Sequence, residues 1–491
     1  MRQLLPRLIL TLVIFFTLIG CAVGPEFSPL NLTVPERYTS DPFPVQTVGV
    51  EYKSDGAQSF TFTEDLSAQW WTLFNSPSLD QIIRQGLTDS PTLAAAQAAL
   101  RKAEEDLRAV KGSIVYPAVD ADLQATRQRT SGNANSGASD TYNLYNTSVA
   151  VSYTLDIFGG GRRQIEAYQT KVDYQRYAYE AAYLTLTANI VTTAIQEASL
   201  RAKKEATIDM IAMQQEQLSI IQKQFKMGAV SKVDVLSQET DLATTKADLP
   251  PLEKQLGSSR HALAALTGQF PGSAKMPEFS LDSLHLPQEL PMSLPSQLVR
   301  QRPDIRASEE LLHQACAEVG IATANLYPQI TLSGGWGFQA VGTGVLFSGE
   351  SVIWNLGAGL LQPIFRGGQL TAERRSALAA YDQAAAEYRQ TVLEAFQDVA
   401  DVLRALETDA RTLRARAEAE AAAKATLALV EKQYELGATT YLALLIAQRD
   451  YQEARINVIT ARSQRYEDTA ALFQALGGGW WNRSKKTAKA E

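Results

Sequence analysis

One short stretch of this chain occurs twice. Residues 223–241 read KQFKMGAVSKVDVLSQETD and residues 432–450 read KQYELGATTYLALLIAQRD, in register 209 residues apart. Other landmarks repeat in the same order. Pro91 answers Pro303, and Pro117 answers Pro328, at offsets of 212 and 211. LDIFGGGR from Leu155 answers QPIFRGGQ from Gln362, with Ile157 and Ile364 207 residues apart. ALTG from Ala265 answers ALGG from Ala475, 210 residues on. Landmarks that keep their order and drift by only a few residues mark an internal duplication. Each half of the chain must therefore build the same unit.

Each copy carries one long helix signal. No Gly or Pro occurs from Arg162 to Met227 or from Gln369 to Leu436. In the second copy Leu378, Tyr381, Ala385, Tyr388, Val392 and Ala395 follow alternating three- and four-residue steps. In the first copy Tyr174, Tyr177, Ala181, Leu184, Ala188 and Val191 do the same. Such a stripe makes a helix that lies along other helices in a coiled-coil seam. About 65 residues at ~1.5 Å each give a rod of roughly 95–100 Å. Pro250 and Pro251 have no counterpart in the second copy. They are expected to kink only the first copy's returning helix.

Between the helix signals the period changes to two. From Ala118, Val119, Ala121 and Leu123 alternate with Asp120, Asp122 and Gln124. From Tyr145, Val149, Val151 and Tyr153 alternate with Ser148 and Ser152. From Gln329, Leu332, Trp336 and Phe338 lie opposite Thr331, Ser333 and Gln339, and from Ser351, Val352, Trp354 and Leu356 share one face. Four strands are expected, at about 118–129, 142–157, 329–340 and 350–364. Strands of about ten residues with one aromatic-rich apolar face and one polar face match a membrane barrel. Taken alone, they fit two soluble hairpins lying on a core equally well. In a membrane, open sheet edges are not tolerated and about eight strands are needed for closure. Several chains would then share one barrel. Tyr153, Trp336, Phe338 and Trp354 would face lipid, and Asp120, Asp122 and Gln124 would face the lumen.

The first twenty residues read as a targeting signal. Arg2 and Arg7 precede an apolar run from Leu8 to Ile19, too short to span a bilayer. The run ends LIGC, Leu18–Cys21, which resembles a bacterial lipoprotein signal. Cys21 would carry the acyl chains, each buried CH₂ contributing about 0.8 kcal/mol to anchoring. Ala22 follows where an Asp would hold such a lipoprotein back from the outer membrane. A Pro-rich leader runs to about residue 60. No later apolar run reaches the length of a transmembrane helix.

Several function classes are excluded. A net charge of −7 gives no basic footprint for nucleic acid. His261, His285 and His313 show no spacing for metal or nucleophile chemistry, so no metal, cofactor or enzymatic activity is expected. Cys316 lies in an apolar helical stretch and reads as a buried, inert thiol.

Together the LIGC signal, the junctions Tyr116-Pro117 and Tyr327-Pro328, IFGGGR, IFRGG and the paired turns carry a resemblance. Over about Cys21–Gly479 the chain resembles the outer-membrane efflux channel proteins, in particular the lipoprotein, TolC-like branch that serves multidrug pumps. The resemblance implies a mainly α protein with a membrane β-barrel, built from a duplicated helix-strand-strand-helix repeat. It implies a homotrimer in outer-membrane lipid, with a twelve-stranded barrel and a long helical tunnel through the periplasm. Its partners would be an inner-membrane pump and a periplasmic adaptor (membrane fusion protein), and the channel would be a passive duct. The implied domains are a signal (1–20), a leader (21–60), a first repeat (61–270), a linker (271–300), a second repeat (301–479) and a flexible tail (480–491). A lipid-anchored periplasmic scaffold and a type I protein secretion channel stay open as alternatives.

In that family the turns around Gly228 and Gly437 would form the periplasmic mouth. Family members often place Asp six or nine residues after the second Gly, where this chain has Ala443 and Ile446. An apolar constriction at Leu445 or Ile446 is therefore expected. Asp234 stands six residues after Gly228, but its usual basic partner is replaced by Thr439. Asp234 is then expected to accept a hydrogen bond from Thr439 or from Tyr434.

Overall fold

The structure is a computed structural model that describes residues 22–40, 44–50, 56–62, 66–131 and 140–483. The targeting signal, Cys21, most of the first hairpin loop and residues 484–491 lie outside them.

Two series of elements follow one another. The first is β1 (Ser59–Phe62), α1 (Pro77–Asp89), α2 (Pro91–Val115), β2 (Ala118–Arg129), β3 (Thr141–Leu155), α3 (Gly160–Lys226) and α4 (Lys232–Leu266). The second is β4 (Glu289–Met292), α5 (Pro295–Gln301), α6 (Pro303–Ala324), β5 (Gln329–Ala340), β6 (Val352–Leu361), α7 (Gln369–Glu435) and α8 (Tyr441–Ala475). The duplication is exact in length where it matters most. Both α3 and α7 have 67 residues, and both α4 and α8 have 35. Pro starts α1, α2, α5 and α6, where its missing N–H has no helical partner to lose. Pro250 and Pro251 both lie inside α4, which runs on through them.

The described residues divide into two compact units. One comprises the residues up to Asn31 with Ala99–Arg176 and Ala307–Arg389. It holds a four-stranded antiparallel sheet in the order β2-β3-β5-β6. Here the leader is clasped by both repeats. Val23 N donates to Phe158 O at 3.0 Å, and Phe27 stacks on His313 with ring centroids 4.2 Å apart. Cys316, buried, lies 3.7 Å from Pro25 O, and burial raises its pKa, which suits an inert thiol. Gly24 and Gly320 pack so closely that a Cβ on Gly24 would stand 2.6 Å from the Gly320 Cα.

The other unit comprises Leu32–Ala98, Tyr177–Arg306 and the residues from Gln390 on. Its main core gathers Trp70, Trp71, Phe74, Phe279, Tyr466 and Phe473, all buried. Trp70 stacks on Phe473 at 5.2 Å. Burying side chains of this size contributes roughly 1.5–3 kcal/mol each. Glu197, fully buried, accepts from Arg201 at 2.5 Å, Arg260 at 3.3 Å and Phe279 N at 3.0 Å. A buried carboxylate needs such partners, and here they fasten the segment after α4 to α3. Arg465, also fully buried, donates to Gln58 at 3.1 Å and to Gly56 O at 2.8 Å, holding the leader.

Two expected connections have structure of their own. The stretch 271–300 contains β4, which pairs in parallel with β1, and most of α5. The short apolar run at Glu289–Met292 is what the sequence reading passed over. The tail begins as a short 3₁₀ turn, Trp480–Asn482. Trp480 Nε1 donates to Gln301 O at 2.6 Å, so this part is anchored rather than free.

Candidate functional site

The sheet is the first part of the site. Its register places side chains in rows across all four strands. Ala121, Val149, Trp336 and Trp354 form one row. Leu123, Thr147, Phe338 and Val352 form the next. Tyr153 sits opposite Leu332 on the same face. The other face carries Asp120 with Ala150, Gly335 and Asn355, and Asp122 with Ser148 and Gly337. Gln124 is paired there with Asn146 and Gln339. A Cβ on Gly337 would meet Thr147 O at 2.2 Å, and one on Gly335 would meet Asn355 Oδ1 at 2.4 Å. Gly335 and Gly337 lie on the second face, which carries Tyr142, while Trp336, Phe338, Trp354 and Tyr153 lie on the first. Trp336 and Trp354 are 54% and 75% exposed in the single chain. Both β2 and β6 have a neighbour on one side only.

The helix hairpins are the second part. Each long helix ends on a glycine, Gly228 at φ 76° and Gly437 at φ 70°. No atom lies within 4 Å of a Cβ at either, so the left-handed backbone, not space, favours glycine. Ala229 N bonds Gln224 O at 2.9 Å and Ala438 N bonds Gln433 O at 2.8 Å, the same helix stop twice. Three residues later Ser231 and Thr440 cap the returning helices.

This equivalence explains the acid at Asp234. Its carboxylate accepts from Ser231 N at 2.9 Å and from Ser231 Oγ at 2.7 Å, while Asp234 N bonds Ser231 Oγ at 3.2 Å. It closes a capping box at the third position of α4. Ala443 holds that position in α8, where no box forms. The expected bond to Thr439 or Tyr434 is corrected accordingly. Tyr434 Oη donates to Gln224 Oε1 at 3.0 Å instead. Asp234 reaches Tyr434 only as a nearby charge, which adds to burial in raising the phenol's pKa. Thr439 is half-buried.

A small apolar core fills the hairpin tips, with Ile221, Val235, Leu427, Tyr441, Leu444 and Leu445. Leu445 is only 7% exposed, packed within this core. It cannot also line an opening, so that half of the expected constriction is withdrawn. Ile446, one residue on, is 43% exposed and remains available. Sequence reasoning missed a polar chain through this core. Tyr441 Oη donates to Gln238 Oε1, and Gln238 Nε2 donates to Gln214 O at 2.9 Å. Burial keeps Tyr441 protonated far above neutral pH, so it is a constant donor. No cluster of three or more His, Cys, Asp or Glu side chains suited to a metal occurs among the described residues. No described helix is long and apolar enough to cross a membrane.

The comparisons with known proteins agree on one family. Residues 82–269 and 294–478 match the outer membrane efflux protein family. The pyoverdine export outer membrane protein OpmQ of Pseudomonas aeruginosa is 30% identical over 429 residues, 86% of this chain and 90% of its own. The toluene efflux pump outer membrane protein TtgC of Pseudomonas putida is 27% identical over 476 residues, 96% and 95% of the two chains. The structure of the outer-membrane channel OprN superposes with a TM-score of 0.84 at 26% identity, covering 94% of this chain and all of that one. Vibrio cholerae VceC gives 0.78 at 26% identity, covering 85% of this chain. The two matched segments coincide with the two copies of the repeat, and the chain belongs to the outer membrane efflux protein family.

Proposed function

We propose that this chain is the outer-membrane exit duct of a tripartite efflux system, passing substrates from an inner-membrane pump and a periplasmic adaptor to the outside. Three copies close a twelve-stranded barrel. The observation that carries this is the four-stranded sheet with two open edges and two chemically opposite faces. Such edges in lipid would leave rows of backbone groups without partners, at several kcal/mol each. Copies of the same sheet, joined β6 to β2, satisfy both edges at once.

In this reading Trp336, Trp354, Phe338 and Tyr153 face lipid, and Asp120, Asp122 and Gln124 line the lumen. The turns at Gly228 and Gly437 form the periplasmic mouth. The protein does no chemistry of its own, and the pump sets which small molecules are exported. OpmQ and TtgC, named for pyoverdine and toluene, place organic molecules of different size within the family's range.

The test combines assembly with transport. The purified chain should cross-link as a trimer in detergent. Deleting its gene should sensitise cells to substrates of the partnered pump, and the intact gene should restore resistance. A monomer with no effect on export of any pump substrate would remove this reading.

A further inference from the structure

The loop that joins β5 to β6, residues 341–351, is not a plain polar connection. It carries Val341, Val345 and Phe347 at 65%, 54% and 73% exposure, and Glu350 is its only charged side chain. The first hairpin's loop, TSGNANSGASD at 130–140, has no apolar side chain larger than Ala.

The loop has a built shape. Ser351 Oγ donates to Val345 O at 2.7 Å and lies 3.1 Å from Ser348 Oγ. Backbone bonds run from Ser348 N to Val345 O and from Ser351 N to Ser348 O, both at 3.1 Å. Leu346 is tucked inside at 6% exposure. These bonds leave Val345 and Phe347 pointing outward.

The direction is set by Phe338. Its ring meets Trp336 edge-on at 5.0 Å and Phe347 edge-on at 5.3 Å. Trp336 in turn is the cross-strand partner of Trp354. Phe347 therefore continues the aromatic row of the sheet beyond its last paired residues. It does not turn toward the face that carries Asp122 and Gln124.

We propose that this loop is an interfacial foot, seated among the headgroups and upper acyl chains of the outer leaflet. It extends the lipid contact of the aromatic face instead of folding over the exit of the duct. Aromatic and apolar side chains at that depth are favoured because one end meets hydrocarbon and the other the wet headgroup layer. A loop over an aqueous exit would gain nothing from three exposed apolar side chains. The proposal rests on the reading that the Trp336–Trp354 face meets lipid, and the experiment separates the two.

Full-length trimers carrying Phe347→Cys, Val345→Cys, Trp354→Cys or Gln124→Cys would be labelled with an environment-sensitive fluorophore. They would be placed in phosphatidylethanolamine–phosphatidylglycerol vesicles, the parent chain supplying the labelling background of Cys21 and Cys316. Quenching by nitroxide lipids, shallow or deep, is compared with quenching by aqueous iodide. Positions 345 and 347 should be quenched several-fold more by shallow nitroxide lipid than by iodide. Position 354 should respond to the deep nitroxide and position 124 to iodide. Iodide quenching at 345 and 347, with 354 still lipid-quenched, overturns the foot and leaves the barrel faces standing. Protection of 345 and 347 from both quenchers means that another protomer covers them, and also overturns it. Iodide quenching at 354 with lipid quenching at 124 reverses the faces, and the foot falls with them. Two separate loop positions keep the result readable if Phe347→Cys alone disturbs the loop.

Discussion

Tyr441 on α8 donates a hydrogen bond from its phenol to the Gln238 side-chain oxygen on α4, and so ties the returning helix of one repeat to that of the other. Gln238 is fully buried and passes the link on to the Gln214 carbonyl of α3. Three helices at the tips are thus joined by neutral hydrogen bonds that neither salt nor pH can screen. Tyr441→Phe removes a donor from a buried acceptor, which costs about 1–3 kcal/mol. Amide exchange around residues 224–241 should speed up, and the purified trimer should conduct more in planar bilayers. Tyr434→Phe should do less, since water can replace its half-buried bond to Gln224. Equal conductance for Tyr441→Phe and parent would deny the link any part in closure.

Neighbouring residues at the tip should behave differently. Leu445→Ala empties part of the small core and should cost about 2–5 kcal/mol of local stability. Ile446→Ser should hardly change the melting temperature but should raise closed-state conductance, since an apolar constriction excludes ions by dewetting. The reverse pattern, a stable Leu445→Ala with raised conductance, would put Leu445 in the opening after all.

Asp234 is a capping residue here, and its loss should read as one. Asp234→Ala should cost about 1 kcal/mol, felt as fraying of the first turn of α4. Conductance and its response to divalent cations should stay close to parent. Divalent block that disappears in this variant would mean an ionic gate at the first turn.

A pH dependence should arise elsewhere. Asp409 on α7 is pushed up to about 8, first by burial and then by Asp468 on α8, with Arg465 opposing. Its folded pKa is above the unfolded value near 4, so the folded state binds the extra proton. Stability from this site is full below about pH 4 and is lost as pH rises toward 8. Asp409→Asn should flatten the pH profile of thermal unfolding over that window. The pair keeps some solvent contact, so the gain at high pH should be on the order of 1 kcal/mol. A parent profile already flat from pH 5 to 9 would show that the two carboxyls do not share a proton.

Lipidation at Cys21, expected from the LIGC signal, is tested by labelling. Cys21→Ala should abolish incorporation of labelled fatty acid. Unchanged labelling would move the anchor elsewhere. Trimers should still form, because sheet edges, not acyl chains, join the copies.

The sequence made some of this plain and hid the rest, for identifiable reasons. Helix length was legible because Gly and Pro are absent between Arg162 and Met227 and between Gln369 and Leu436, and each of these two helices stops just before the left-handed glycine that follows, Gly228 or Gly437. Strand faces were legible because the pairing of the four strands runs without a break, so period two is kept from end to end. The β1–β4 pair was not, since two four-residue runs 230 residues apart signal nothing locally. The role of Asp234 was misread because an acid near a turn can serve a cap or a partner. Only the Ser231 geometry decides between them. Leu445 and Ile446 are both apolar, and only the roll of α8 tells which one faces inward.

The glycine-on-glycine contact of Gly24 with Gly320 bears on how force enters the protein. Ala22 presses on Gly159 of the first repeat, and Gly24 and Pro25 press on α6 of the second. A side chain at Gly24 or at Gly159 would unseat the leader. An acyl anchor on Cys21 would therefore not tug on a slack tether. Membrane tension would be delivered through Ala22 directly to the seam where the two halves of the chain meet, and the load would be shared between them.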